Sequence, residues 1–152
     1  MKNTVKTDPV LAFFLSPKEL RIEAARLRHI AAALDRRLPT LADDSARSIQ
    51  LARISDLRRQ AAEKQKTADR REVEVAALID ALPTAAGQTI LRLRYCEGLR
   101  WCPGKSGRPC VLHAMHETGL YYSERQMYRM HNQALAEARR LFASGRYLAA
   151  SA

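Results

Sequence analysis

Two prolines set the layout of this chain. Pro39 and Pro83 each close a long series of apolar residues at helical spacing. Before Pro39 the series is Leu20, Ala24, Leu27, Ala31, Leu34 and Leu38, stepping alternately by four and three residues as in a heptad seam. Before Pro83 it is Ile54, Leu57, Ala61, Ala68, Val75, Leu78 and Leu82, with Lys64 and Arg71 interrupting the register. A proline has no N–H to give, and it disfavours helical geometry in the residue before it, so each helix must stop there. Apolar spacing of this kind builds helices rather than strands. The expectation is an all-α fold that begins with a long, coiled-coil-like helical hairpin over residues 17–82, its arms joined by a loop at 39–44. A hairpin so narrow and amphipathic suits dimerisation or docking of a partner.

Ser16-Pro17-Lys18-Glu19 reads as the start of the first arm, with Ser16 as N-cap, Pro17 at the first helical position and Glu19 completing a capping box. Residues 1–16 are then a tail, and Val10 to Leu15 form an apolar strap within it.

Beyond Pro83 the pattern shortens. Thr84 caps a helix whose apolar face is Ile90, Leu91, Leu93 and Tyr95, and Glu97-Gly98 closes it. A Cys/Pro/Gly insertion occupies 102–110, followed by a short helix from Val111 to Thr118 and a turn from Gly119 to Tyr122. The last helix opens at Ser123, with Gln126 as its capping-box partner. Met127, Met130, Ala134, Leu135 and Ala138 face inward at three- and four-residue steps, while Glu124, Arg125, Arg129, Asn132 and Gln133 face outward. Ser144-Gly145 ends the helix, so residues 83–143 form one helix-turn-helix domain and 144–152 a tail.

Charge narrows the partner. The chain carries 26 Lys+Arg against 16 Asp+Glu, a net charge of +10. Such a surplus favours a polyanion, nucleic acid ahead of an anionic membrane. Residues 84–152 hold 10 basic and 4 acidic residues, the more cationic part per residue. No apolar run approaches the ~20 residues of a membrane span. Val10 to Leu15 lack a cleavage site behind them, and the three cysteines suggest no secreted disulfide framework. A cytoplasmic protein is expected, one associated with the nucleoid of a bacterial host.

The order of the C-terminal signals carries a resemblance. Ala81-Leu82-Pro83 precedes Ile90-Leu91-Arg92-Leu93-Arg94-Tyr95, then Glu97-Gly98-Leu99-Arg100-Trp101. Next come Tyr122-Ser123-Glu124-Arg125-Gln126-Met127-Tyr128-Arg129-Met130-His131 and Ala134-Leu135. This set resembles the region-4-like helix-turn-helix of sigma-70-type factors, and more narrowly the small phage-encoded transcription regulators of the ArpU/RinA type. The resemblance covers residues 78–142. It implies a sequence-specific regulator of phage or prophage origin, with double-stranded DNA as its partner, while the hairpin is expected to form a homodimer or to contact RNA polymerase. In the family the tryptophan leads directly into the first helix of the motif, whereas here 102–110 intervene.

The second helix of such a motif lies in the major groove with its N-terminal residues on base edges. Arg125 and Arg129 are therefore candidate guanine readers and Glu124 a candidate acceptor from cytosine. Ser123, Tyr128, Arg100, Lys105, Arg139 and Arg140, with Arg92 and Arg94, are candidate contacts to the DNA backbone. A merely solvated helix face is the competing explanation of these arginines. The expected core of the motif is Leu91, Tyr95, Trp101, Leu112, Met115, Leu120, Met127, Met130 and Leu135.

Cys96, Cys102, Cys110 and His113, with His116, crowd one short region. Zinc takes such ligands, but no Cys-x-x-Cys knuckle is present, so no metal is expected. Gly104-Lys105-Ser106 ends like a phosphate-binding loop, yet position 99 is Leu99 where that motif needs glycine. With no nucleophile set or carboxylate pair in a recognisable context, no enzymatic activity and no cofactor are expected. Two rivals to the regulator remain: a DNA-packaging recognition protein like a small terminase subunit, and a protein-interaction module that binds polymerase or a sigma-like factor.

Overall fold

In the computed structural model, residues 8–102 and 107–149 are described. Among them all regular structure is helical, apart from one parallel β-bridge between Arg100 and Cys110. Helix α1 spans Pro9–Arg37, a 3-10 turn Leu38–Thr40, α2 Asp44–Asp80 and α3 Ala85–Leu91. A π-helical turn covers Arg92–Cys96, followed by α4 Val111–Glu117, α5 Glu124–Ser144 and α6 Arg146–Ala149. No described helix is long and apolar enough to cross a membrane.

The first helix starts earlier than its sequence suggests. Asp8 caps it, accepting from the Val10 N–H at 3.0 Å, and Pro9 occupies the first helical position. Ser16-Pro17-Lys18-Glu19 lies inside α1 instead of opening it. Asp8-Pro9 and Ser16-Pro17 are equivalent local start signals, and burial decides between them. Continued as helix, residues 10–14 put Val10, Phe13 and Phe14 on one face, where all three are buried. A proline in a helix interior costs about 3 kcal/mol relative to alanine. Burying a valine and two phenylalanines gains about 1.5–3 kcal/mol each, which outweighs that cost.

The chain divides into two compact units. One is Ser16–Arg71; the other joins the residues up to Leu15 to those from Glu72 onward.

In Ser16–Arg71 the arms from α1 and α2 run antiparallel. Glu23 pairs with Lys64 at 2.7 Å, Arg21 with Asp69 at 3.4 Å and Asp35 with Arg58 at 3.6 Å. Gln50 Nε2 donates to the Leu34 carbonyl at 3.1 Å. Between the arms Ala24, Ala31, Ile54, Ala61 and Ala68 are buried. A seam so rich in alanine demands close helix approach and buries little area per residue. The ion pairs across it are half exposed, and such pairs contribute under about 1 kcal/mol each.

The second unit holds the larger apolar cluster. Val10, Phe13 and Phe14 of α1 meet Val75, Leu78 and Ile79 at the end of α2 and Leu82 just beyond it. Ile90 and Leu91 of α3, Leu93, Val111 and Met115 of α4, and Met127, Ala134, Leu135 and Ala138 of α5 complete it. Residues 146–149, expected as tail, form α6 instead, because Tyr147 is buried against Phe13 and Phe142 at ring-centroid distances of 6.3 and 6.4 Å. Thr84 caps α3, its hydroxyl accepting from Gly87 N–H at 3.1 Å.

Candidate nucleic-acid interface

Helix α5 is the most strongly two-faced element of the second unit. Met127, His131, Ala134, Leu135 and Ala138 are buried at steps of four, three, one and three residues, while Arg125, Arg129, Asn132, Gln133 and Arg140 are exposed. Both ends are fixed locally. The Ser123 hydroxyl accepts from Gln126 N–H at 3.2 Å, and Gln126 Oε1 accepts from Ser123 N–H at 2.9 Å, a complete capping box. Gly145 takes the left-handed conformation at φ 66°, its N–H donating to the Leu141 carbonyl at 3.1 Å.

Helix α4 and the turn brace this start. Met115 and Met127 are both fully buried in the shared cluster. Gly119, at φ +84°, lets the chain reverse after α4, and Leu120 N–H donates back to the Met115 carbonyl at 2.9 Å. His116 Nε2 lies 3.0 Å from the Tyr122 carbonyl, tying α4 to the residue before the cap.

The insertion is closed at its base. Val111 N–H donates to the Arg100 carbonyl at 2.8 Å and Leu112 N–H to the Trp101 carbonyl at 3.2 Å. The Cys110 sulfur accepts from His113 N–H at 3.4 Å and its carbonyl from Ala114 N–H at 3.0 Å. The first four N–H groups of α4 are thus all satisfied from within the chain. Trp101 is held beside the start of α4 even though eight residues separate it from Cys110 in sequence.

Behind α5 lies a file of rings. Phe14 stacks on Tyr95 at 5.1 Å, Tyr95 lies 5.9 Å from the His131 ring, and the Trp101 ring meets His131 edge-on at 4.5 Å. The Tyr95 hydroxyl is 2.9 Å from His131 Nε2. Arg94 sits over Trp101 at 5.0 Å and donates to the Leu99 carbonyl at 2.9 Å. Burial, first, then the nearby Arg94 and Arg139 cations, hold the His131 pKa below the ordinary histidine value, against a raising hydrogen bond from Asn132. Burial likewise pushes the Tyr95 phenol up.

The sequence-predicted residues fall into distinct settings. Glu124, Arg125, Arg129, Arg100 and Arg140 are exposed. Arg125, Arg129, Arg100 and Arg140 have no ion-pair or hydrogen-bond partner among the described residues. Arg139 is engaged: its Nε and Nη2 donate to Asp8 Oδ2 at 2.9 and 2.6 Å. That contact, ahead of burial acting the other way, lowers the Asp8 pKa. Arg92 pairs with Asp80 at 2.6 Å. Tyr128 packs on Trp101 at 5.4 Å with its hydroxyl 3.8 Å from Cys102 Sγ, a contact that raises its pKa. Lys105 lies outside the described residues.

Leu91, Met115, Met127 and Leu135 are buried in the apolar cluster. Tyr95, Trp101, Leu112, Leu120 and Met130 pack against it partly buried. Among the described residues, no three His, Cys, Asp or Glu side chains converge on a point that could hold a metal. Cys96 is exposed, Cys102 half-buried and Cys110 buried. Sequence reasoning missed the burial of His131 and the Asp8–Arg139 pair. Position 131 does fall on the same helical face as Met127, Ala134 and Ala138, and that periodicity could have flagged it. The 131-residue separation of Asp8 from Arg139 leaves no local signal for their pairing.

No family model, curated protein or solved structure matches the chain.

Proposed function

We propose that this protein is a sequence-specific DNA-binding transcription regulator of the phage or prophage kind, with a helix-turn-helix of the sigma region 4 type. In it α4 supports α5, and α5 enters the major groove. The observation that carries this is the state of Arg125 and Arg129. They sit one helical turn apart in the first two turns of a capped helix, exposed and without a hydrogen-bond or ion-pair partner among the described residues. Leaving two cations so uncommitted beside a rigidly buried opposite face suits recognition of guanine edges, each bidentate pair giving about 1–3 kcal/mol of discrimination. Glu124 is placed to accept from a cytosine amino group. The net charge of +10 supplies the sequence-independent attraction. The hairpin of residues 16–71 is proposed as the arm that dimerises the protein or contacts RNA polymerase, and a dimer would read two half-sites about one helical turn apart.

The test is selection from a random duplex pool, wild type beside Arg125→Ala/Arg129→Ala, over a salt series. Wild type is expected to enrich one motif. The double variant is expected to lose the motif while retaining weak, salt-dependent binding. If wild type enriches no sequence, a specific regulator is ruled out.

A further inference from the structure

Arg100 and Arg108 flank an open groove at the base of the insertion, lined also by Gly98, Leu99 and Pro109. We infer that this groove is a second contact on the same duplex, a seat for one backbone phosphate beside the segment read by α5. The inference rests on the DNA-binding function proposed above and deepens it.

Three observations lead there. First, both guanidinium groups are exposed, and neither has an ion-pair or hydrogen-bond partner among the described residues. Glu97 lies near Arg100 in sequence, and Glu124 at the start of α5 acts on the Cys102 thiol, but no described ion pair draws either arginine away. Second, the backbone that carries them is held. The Arg100 carbonyl accepts from Val111 N–H at 2.8 Å and the bridge to Cys110 fixes the other strand two residues after Arg108. On the inner side, Leu99 N–H donates to the Leu93 carbonyl at 3.1 Å, and Arg94 donates to the Leu99 carbonyl. Two arginines on braced backbone lose less entropy on binding than two on a free loop. Third, the chain that forms the groove leads directly to α5. Trp101, the residue after Arg100, packs on Tyr128, and Cys102 Sγ lies 3.8 Å from the Tyr128 hydroxyl. Tyr128 falls on α5 between Arg125 and Arg129 in sequence and is their neighbour on the helix surface. A duplex seated on that stretch of α5 runs its flanking backbone past Arg100. A planar guanidinium on either side of an open groove matches a phosphodiester, which offers two oxygens sharing one negative charge and needs no enclosed pocket.

The test compares wild type, Arg100→Ala/Arg108→Ala and Arg100→Lys/Arg108→Lys on the selected duplex and on a scrambled duplex, over a salt series. The alanine pair is expected to weaken both duplexes by a similar factor and to lower the salt slope by about 0.9, the value for one phosphate contact. The enriched motif stays the same. The lysine pair is expected to keep the slope. Circular dichroism and melting temperature should match wild type, since both side chains are exposed. Unchanged affinity and slope in the alanine pair, with wild type still binding its motif, overturns the groove and leaves the α5 contact standing. Loss of the motif itself also overturns it, because a phosphate seat carries no base information. Absence of any wild-type binding removes the DNA-binding function and the groove together.

Discussion

The Tyr95 hydroxyl and His131 Nε2 stand 2.9 Å apart in the wall behind α5, one contributed by the π-helical turn and the other by α5 itself. His131 is the one buried polar side chain among the described residues, so this hydrogen bond satisfies a group that water does not reach well. Tyr95→Phe removes the partner and leaves the ring nitrogen unpaired. The expected loss is about 1–3 kcal/mol of unfolding free energy, read by urea denaturation at pH 7. An unchanged midpoint would mean that His131 finds solvent once the hydroxyl is gone.

The same pair makes stability depend on pH. His131 has a folded pKa below its unfolded value of about 6.5. Between those two values the unfolded chain holds more protons, so stability rises with pH across that window and falls as pH drops below about 6.5. The Asp8 carboxyl, whose folded pKa is lowered, gives a separate decline only in the acid range below its ordinary value of 3.8. Unfolding free energy is therefore expected to decrease from pH 7 to pH 5, and His131→Gln, which keeps a polar partner for Tyr95, to flatten that slope. A slope that persists in the variant assigns the effect to another group.

Gly87 of α3 packs against Ala134 of α5. A Cβ there would lie 2.8 Å from Thr84 Oγ1 and 3.3 Å from Ala134 Cβ. Gly87→Ala gains about 1 kcal/mol of helix propensity. It must also push the capping hydroxyl off the Gly87 N–H and crowd a rigid Cβ on α5, and overpacking of that kind costs about 1–3 kcal/mol. Net destabilisation is expected from chemical denaturation. The double variant Thr84→Ala/Gly87→Ala should be less destabilised than the sum of the single ones, because removing the hydroxyl removes one of the two clashes.

What the sequence made legible was local. Pro39 and Pro83 mark where the long helices end, and Ser123 with Gln126 marks where α5 begins, because each acts through its own backbone within a turn. Gly145 does the same for its end. The start of α1 was not legible. Asp8-Pro9 and Ser16-Pro17 compete on equal local terms, and only the burial of Phe13 and Phe14 settles the matter. The π-helical turn at Arg92–Cys96 has no sequence rule comparable to a cap. At the candidate interface the exposure of Arg125 and Arg129 followed from periodicity alone. The pairing of Arg139 with Asp8 and the closure of the insertion at Arg100 and Cys110 depend on residues brought together by the fold.

The capping box couples folding to the proposed contact surface. Ser123→Ala removes the hydroxyl that accepts from Gln126 N–H, at a cost of about 1 kcal/mol. The first turn of α5 carries Arg125, so fraying there should weaken specific binding more than binding to a scrambled duplex. Ser123→Asp keeps an acceptor and should preserve stability. If Ser123→Ala lowers stability but leaves specific and non-specific affinity in the same ratio, the first turn does not read bases.

Arg139 and Arg140 are sequence neighbours with opposite commitments, and substitution should separate them. Arg139 is paired with Asp8 at 2.6 Å, a contact half exposed on the arginine side, so Arg139→Ala should cost under about 1 kcal/mol of stability and less at high salt. With its charge already satisfied, Arg139 has little to offer a phosphate, and DNA affinity should change less than twofold. Arg140 is exposed and unpaired among the described residues, so Arg140→Ala should leave stability within about 0.5 kcal/mol of wild type. It should instead lower DNA affinity and reduce the salt slope by about 0.9. Asp8→Asn sharpens the comparison, because the amide oxygen can still cap α1 at Val10 while the charge that holds Arg139 is gone. If Arg139 is silent only because it is paired, Asp8→Asn should raise DNA affinity, and Asp8→Asn/Arg139→Ala should abolish that gain. A single Arg139→Ala that matches Arg140→Ala in salt slope would put both arginines on the DNA and show that the Asp8 pair gives way when the duplex arrives.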